Sequence, residues 1–140
     1  MVNSTLIRVR YKDTDQMGVV YNGNYFNWFE IGRVELLREM GISYKDLEKR
    51  GVFTAVSEAY CKYIKPARFD DEIIIKTRII KLTETRVEFE YSLHRKEDNQ
   101  LLAKGHTIHV FVDRNIKPIS LKDTHKDLWE LFEGQAKDNE

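Results

Sequence analysis

Two carboxylates, Asp13 and Asp15, stand between a predicted strand and a predicted helix. The strand is indicated by alternating apolar and basic residues from Ile7 to Tyr11. Gly18 permits a sharp turn after them, and residues 22–24 (Asn-Gly-Asn) offer cap residues to a helix that begins near Tyr25. The carboxylates and the helix start should therefore lie close together. Because a helix start presents unpaired N–H groups and the positive end of its dipole, it can polarise a carbonyl group or hold an oxyanion. A neighbouring aspartate can then attack that carbonyl or activate water for the attack.

The same residues also have a purely structural interpretation. Aspartate and asparagine in loops commonly satisfy turn N–H groups, so Asp13, Thr14 and Asp15 would only brace the connection between strand and helix. The asparagines would then act as helix caps and nothing more. Composition alone favours this interpretation over a catalytic one.

A longer pattern around these acids resembles the signature of an enzyme family. The pattern, aromatic-x-Asp-x-Asp-x-x-Gly-hydrophobic-Val-Tyr-x-x-x-Tyr, is typical of the hot-dog-fold thioesterases of the 4-hydroxybenzoyl-CoA thioesterase/YbgC type. Its places are filled in register by Tyr11, Asp13, Asp15, Gly18, Val19, Val20, Tyr21, Asn24 and Tyr25. Residues 66–71 (Pro-Ala-Arg-Phe-Asp-Asp) and a last strand followed by Pro118 also resemble this family. The resemblance covers nearly the whole chain.

The resemblance implies a role for each candidate site residue. Asp15 takes the place of the family's catalytic carboxylate, and a backbone N–H at Asn22 or Gly23 would polarise the thioester carbonyl. Tyr21 and Tyr25 would line the substrate pocket. Many bacterial members carry histidine where this chain has Asn22, so one group that shares in proton transfer is replaced here.

The function implied by the resemblance is that of an acyl-CoA thioesterase, which hydrolyses a thioester to a carboxylic acid and free coenzyme A. Asp15 would act as nucleophile or as general base, with no cofactor and with coenzyme A present only as part of the substrate. Basic side chains suit the phosphates of coenzyme A, and Lys62 and Arg68 are the candidates near a predicted turn. Two alternatives stay open: a thioesterase acting on acyl-carrier protein, and a hot-dog module that binds acyl thioesters without cleaving them.

Length and composition indicate one globular domain over residues 1–133, followed by a frayed tail over residues 134–140. The chain has 23 basic and 23 acidic residues, which argues against a nucleic-acid binder driven by overall charge. A single cysteine, Cys61, excludes an internal disulfide and a cysteine-based zinc site. Neither a targeting segment nor a membrane-spanning stretch is recognisable, so a cytoplasmic location is expected.

Hydrophobic periodicity predicts an α+β fold. A long apolar helix is expected over residues 24–40, a short helix over 44–49, and strands over 52–64, 72–82, 86–95 and 101–112, before a last amphipathic helix capped by Ser120. The economical packing is a curved antiparallel sheet wrapped around the long helix, which is the hot-dog shape. An exposed sheet edge would allow two copies to pair, and relatives form such dimers and often tetramers.

Other chemistries find little support in the sequence. His106 and His109 form the closest histidine pair, but residues three apart on a strand point to opposite faces, so no metal site is expected. The Gly-x-Ser-x-Gly pattern of serine hydrolases and a phosphate-binding glycine loop do not occur. The Asp/His pair of hot-dog dehydratases has no recognisable counterpart either.

Overall fold

Five strands and four helices account for the regular structure of residues 1–139, which the computed structural model describes. The strands are β1 (Asn3–Arg8), β2 (Phe53–Tyr63), β3 (Glu72–Leu82), β4 (Arg86–Arg95) and β5 (Leu101–Val112). The helices are α1 (Asn24–Glu39), α2 (Tyr44–Lys49), α3 (Leu121–Thr124) and α4 (Lys126–Asp138). All strand pairs are antiparallel, in the order β1-β3-β4-β5-β2.

The helix α1 occupies the concave side of this sheet and contacts β1, β2, β3 and β4. Its buried side chains include Tyr25, Trp28, Phe29 and Leu36, as their helical spacing predicted. Gly32 allows the close approach expected of a glycine inside a helix, because an added Cβ would collide with the Thr77 hydroxyl on β3. A long helix wrapped by a curved antiparallel sheet is the predicted hot-dog arrangement.

The strands follow their predicted ranges closely. β3, β4 and β5 have the expected bounds, and β2 is one residue shorter at each end. In β4 the side chains of Val87, Phe89, Tyr91 and Leu93 are fully buried, while the residues between them are exposed or half-buried. This alternation gives the sheet one face toward the core and one face toward water.

Two end regions differ from the sequence expectation. Tyr11, expected in the first strand, begins a short 3₁₀ turn, because the Asp13 carboxylate accepts a hydrogen bond from the Arg10 N–H at 2.9 Å and bends the chain. The last helix is interrupted at His125, whose ring is 3.0 Å from the Arg50 carbonyl oxygen, and becomes α3 and α4.

Residues 134–138, which fall in the predicted tail, continue helix α4 as far as Asp138. α4 packs against β3, Ala136 is buried, and the Asn139 amide donates to the Ile79 carbonyl oxygen at 2.9 Å. These contacts stabilise the end of the chain against the sheet. The last residue, Glu140, lies outside the described residues.

β2 is an edge strand, paired only with β5 among the described residues. Cys61 and Tyr63 lie opposite Gly105 and Ala103 and point to the concave side, whereas Lys62 lies opposite Lys104 and points to the other face. The concave side at the end of β2 is also where α1 begins.

Candidate active site

The motif loop, residues 11–23, presents the Asp15 carboxylate at the tip of a tight turn. The Asp15 N–H donates to the Val19 carbonyl oxygen at 2.8 Å, and the turn passes through Gly18 with a φ of 78°. The Met17 N–H donates to Asp15 Oδ1 at 2.8 Å, which fixes the carboxylate group. Asp15 Oδ2 accepts no hydrogen bond from the rest of the described chain, so one carboxylate oxygen is available for chemistry.

Asp13 braces this loop, as the sequence suggested. Besides its carboxylate bond to the Arg10 N–H, its carbonyl oxygen accepts the Tyr21 N–H at 2.8 Å and the Asn24 side-chain amide at 2.9 Å. The acid-bearing turn is therefore tied directly to the start of α1.

The start of α1 leaves two backbone donors free. Helix α1 begins after Gly23, and in the described chain no side chain caps it; the Asn24 amide, expected as a cap, bonds to Asp13 instead. The N–H groups of Val20, Tyr21 and Asn24 all have backbone acceptors. Within residues 1–139 the N–H groups of Asn22 and Gly23 have none, and these are the two donors that the sequence singled out.

A cavity of about 420 Å³ opens between the motif loop, the start of α1 and the end of β2. It is lined by Asp15, Val19, Val20, Tyr21, Asn22, Tyr25, Tyr63, Ile64, Lys65 and Pro66. The structure thus brings together four predicted residues, Asp15, Tyr21, Asn22 and Tyr25. Gly23 adjoins them in the chain, and the Tyr21 ring covers it so closely that an added Cβ would lie 2.7 Å from the ring.

The opposite wall of the cavity, residues 63–66, was missed by the sequence reasoning. It is joined to the motif loop where the Val20 N–H donates to the Ala67 carbonyl oxygen at 2.9 Å and Val19 pairs with Arg68. The Pro-Ala segment at residues 66–71, which resembles the family, begins at this wall and could have indicated it. Nothing in the sequence, however, placed that segment next to Asp13 and Asp15.

Two tyrosines connect this wall to the helix. The Tyr63 hydroxyl donates to the Asn22 carbonyl oxygen at 2.8 Å, and its ring meets the Tyr25 ring edge-on at 5.0 Å. The hydroxyl oxygen of the buried Tyr25 accepts the Ala67 N–H at 3.4 Å. Burial raises the pKa of Tyr25, and desolvation together with the neighbouring Cys61 thiol raises the pKa of Tyr63 to about 12. Both hydroxyls therefore stay protonated at neutral pH.

The two residues proposed for coenzyme A binding do not line this cavity. Lys62 lies on the other face of the sheet, beside Lys104. Arg68 is exposed just beyond the cavity wall, where its N–H donates to Asp71 Oδ2 at 2.9 Å. The lysine that reaches the cavity is Lys65.

The two histidines that were considered as metal ligands, His106 and His109, contact neighbouring side chains of the sheet. His109 is buried with its Nε2 2.9 Å from the Thr107 hydroxyl, and His106 stacks on Tyr60 on the other face of the sheet. Burial, with the nearby Arg33 charge, lowers the pKa of His109 to about 4, so this ring is neutral at pH 7. Across residues 1–139, no three or more His, Cys, Asp or Glu side chains are grouped to hold a metal ion. None of the helices described is long and apolar enough to cross a membrane.

The comparisons with known proteins also indicate a thioesterase of the hot-dog fold. Residues 9–127 match the thioesterase-like superfamily, and the chain belongs to that superfamily.

Individual relatives match over nearly the full length. The chain is 32% identical to the putative acyl-CoA thioesterase YneP of Bacillus subtilis over 97% of this chain and 99% of that protein. It is 34% identical to the acyl-CoA thioester hydrolase YbgC of Escherichia coli over 86% of this chain and 90% of that protein. The solved DHNA-CoA thioesterase of Staphylococcus aureus superposes with a TM-score of 0.92 and 31% identity, over 99% of this chain and 93% of that one.

Proposed function

We propose that this protein hydrolyses acyl-CoA thioesters to a carboxylic acid and free coenzyme A. The observation that carries this proposal is that Asp15, with a free carboxylate oxygen, lines one cavity together with Asn22, whose N–H, like that of the adjoining Gly23, has no acceptor in the described chain. Relatives that match this chain over most of their length are named acyl-CoA thioesterases, which supports the same chemistry.

In the proposed mechanism the thioester carbonyl oxygen accepts hydrogen bonds from the free N–H groups at the start of α1. These groups and the helix dipole stabilise the negative charge that develops on this oxygen, and one preorganised donor of this kind lowers a barrier by about 3 kcal/mol. Since the donors lie just before α1, in a segment held by the Tyr21 N–H and the Asn22 carbonyl oxygen, they need little rearrangement during the reaction. Carboxylate and backbone then carry out the hydrolysis without a metal or redox cofactor.

Asp15 can complete the reaction by two routes. As a nucleophile its free oxygen bonds to the carbonyl carbon, the C–S bond breaks, and coenzyme A leaves as a thiolate that takes a proton from water; a water molecule then cleaves the resulting mixed anhydride to the carboxylic acid and the free Asp15 carboxylate. As a general base Asp15 takes a proton from water, whose oxygen bonds to the carbonyl carbon before the C–S bond breaks. Both routes give the same products.

The replacement Asp15→Asn tests the role of this residue. We expect hydrolysis, measured as free thiol across short, medium, long and aryl acyl-CoA esters, to fall by about 1,000-fold or more, because asparagine can neither attack nor accept the proton. The matched control is Asp123→Asn, which changes an exposed acid on α3 and should leave turnover unchanged. Near-normal hydrolysis by Asp15→Asn would remove Asp15 from the mechanism.

Three further measurements define the reaction. A single turnover in ¹⁸O-labelled water leaves the first product unlabelled only by the nucleophilic route. Saturable binding of acyl-CoA without thiol release would instead indicate the non-catalytic module. A strong preference for acyl-carrier protein, with turnover that falls steeply with salt, would indicate the carrier-protein thioesterase.

We also propose that two copies pair along β2 and that such dimers assemble further into tetramers. The eleven residues of β2 form a sheet edge whose far side has no partner strand in the described chain, and Val56 on it is 54% exposed. Val56→Asp should lower the mass measured by light scattering, whereas Val2→Asp, at a comparably exposed position, should not. A monomeric wild-type protein would contradict this assembly.

The cytoplasmic location stays a prediction.

A further inference from the structure

The two free donors at the start of α1 belong to a short segment that is held from two sides. On one side the Asp13 carbonyl oxygen accepts the Tyr21 N–H and the Asn24 amide. On the other side the Tyr63 hydroxyl donates to the Asn22 carbonyl oxygen at 2.8 Å. The first connection joins the segment to the motif loop, and the second joins it to the sheet.

The connection through Tyr63 acts on the peptide unit that carries one of the donors. In a trans peptide the carbonyl oxygen of Asn22 and the N–H of Gly23 lie in one plane and point in opposite directions. Fixing the oxygen therefore fixes the direction of the Gly23 N–H. It also limits rotation of Asn22, whose own N–H is the second free donor.

We propose that Tyr63 is a positioning residue, which holds Asn22 by its carbonyl oxygen and thereby keeps the free N–H groups of Asn22 and Gly23 directed at the thioester carbonyl. This inference rests on the proposed thioesterase function. Tyr63 does not touch the reacting atoms in this role; it acts through the backbone of the motif loop.

Several features suit Tyr63 to this task. It is the last residue of β2, so its backbone is anchored opposite Ala103 in the sheet, and its ring is fixed by edge-on contact with the buried Tyr25. The high pKa of its hydroxyl keeps it a donor throughout the neutral range. A donor at the Asn22 oxygen also polarises the peptide unit, which strengthens its N–H as a donor in turn.

The replacement Tyr63→Phe removes this hydroxyl and leaves the ring. We expect kcat for the best acyl-CoA substrate to fall by about tenfold with KM within about twofold, because the donors lose orientation in the transition state rather than affinity for the ground state. The matched control is Tyr60→Phe, on the same strand and 50% exposed against 45% for Tyr63, but stacked on His106 on the other face. Tyr60→Phe should keep wild-type kcat.

A spectroscopic measurement separates positioning from a general structural role. The carbonyl stretch of a ¹³C-labelled thioester bound to Asp15→Asn should shift to lower frequency on binding, because the N–H donors polarise it. Adding Tyr63→Phe should reduce that shift by about half or more, and adding Tyr60→Phe should not change it. An unchanged shift in the Tyr63→Phe background, or a kcat equal to that of Tyr60→Phe, would overturn the inference.

The two proposals fail differently. If Asp15→Asn hydrolyses the ester at the wild-type rate, the proposed mechanism fails. If Asp15→Asn is inactive while Tyr63→Phe behaves like Tyr60→Phe, only the role of Tyr63 fails.

Discussion

The backbone N–H groups at the starts of α1 and α2 differ in whether they have hydrogen-bond acceptors. At α2 the Ser43 hydroxyl accepts the Asp46 N–H at 3.1 Å and the Asp46 carboxylate accepts the Ser43 N–H at 3.4 Å, which forms a capping box. At α1 the described residues supply no side-chain cap, and two N–H groups beside the cavity lack acceptors. Unpaired donors at a helix start are destabilising unless water or a ligand satisfies them. The comparison therefore separates a capped helix start from one whose donors stay free beside the cavity.

Among the variants that test this comparison, the largest effect is expected from removing one donor at the start of α1. Gly23 has a φ of −64°, which proline also adopts, and its N–H has no acceptor in the described chain, so Gly23→Pro removes that donor and, like alanine, places a Cβ against the Tyr21 ring. Gly23→Ala is the control, since it adds a Cβ against the Tyr21 ring but keeps the N–H. We expect kcat of the proline variant to be about 100-fold below that of the alanine variant. Equal kcat values would leave Asn22 as the sole donor.

An effect on stability alone is expected at α2. Ser43→Ala removes the acceptor of the Asp46 N–H and should lower the free energy of unfolding by about 1 kcal/mol, measured by urea denaturation. Thioester hydrolysis should be unchanged because α2 does not line the cavity. If Ser43→Ala lost activity under conditions in which it is fully folded, the two helix starts would be coupled.

The smallest effect is the pH dependence of the capping box. Hydrogen bonds from the Ser43 side chain and backbone lower the pKa of the Asp46 carboxyl below its ordinary value of 3.8. A group whose pKa is lowered by folding contributes stability above its unfolded pKa, and this contribution is lost as the pH falls through the folded value. The stability difference between wild type and Asp46→Asn should therefore be constant near pH 6 and diminish as the pH falls below the ordinary carboxyl pKa of 3.8. A difference that persists at lower pH would contradict this origin.

Much of the fold could be predicted because its patterns are local. Alternation in β4 and the helical spacing of Tyr25, Trp28 and Phe29 fix element type within a few residues. Local patterns fail where two local options compete, as at Asn24, whose side chain binds the Asp13 carbonyl instead of capping the helix.

The site was predictable on the side of the motif loop and unpredictable on the side of β2. Tyr63 and Asn22 are 41 positions apart, and only the pairing of β2 with β5 decides that Tyr63 faces the helix while Lys62 faces away. A register change of one residue would exchange them, and β2 contains an irregularity between Val56 and Glu58 that no sequence pattern announces.

The two hydrogen bonds that the Asp13 carbonyl oxygen accepts have a consequence for how relatives of this protein can diverge. Because one oxygen accepts both the Tyr21 N–H and the Asn24 amide, the acid and the backbone donors move as a single unit. Replacements in that unit would disturb chemistry for every substrate alike. New acyl preferences are therefore expected to arise by exchange of side chains at Ile64 and Lys65, on the facing wall, which can change the shape of the cavity while the reacting groups keep their spacing.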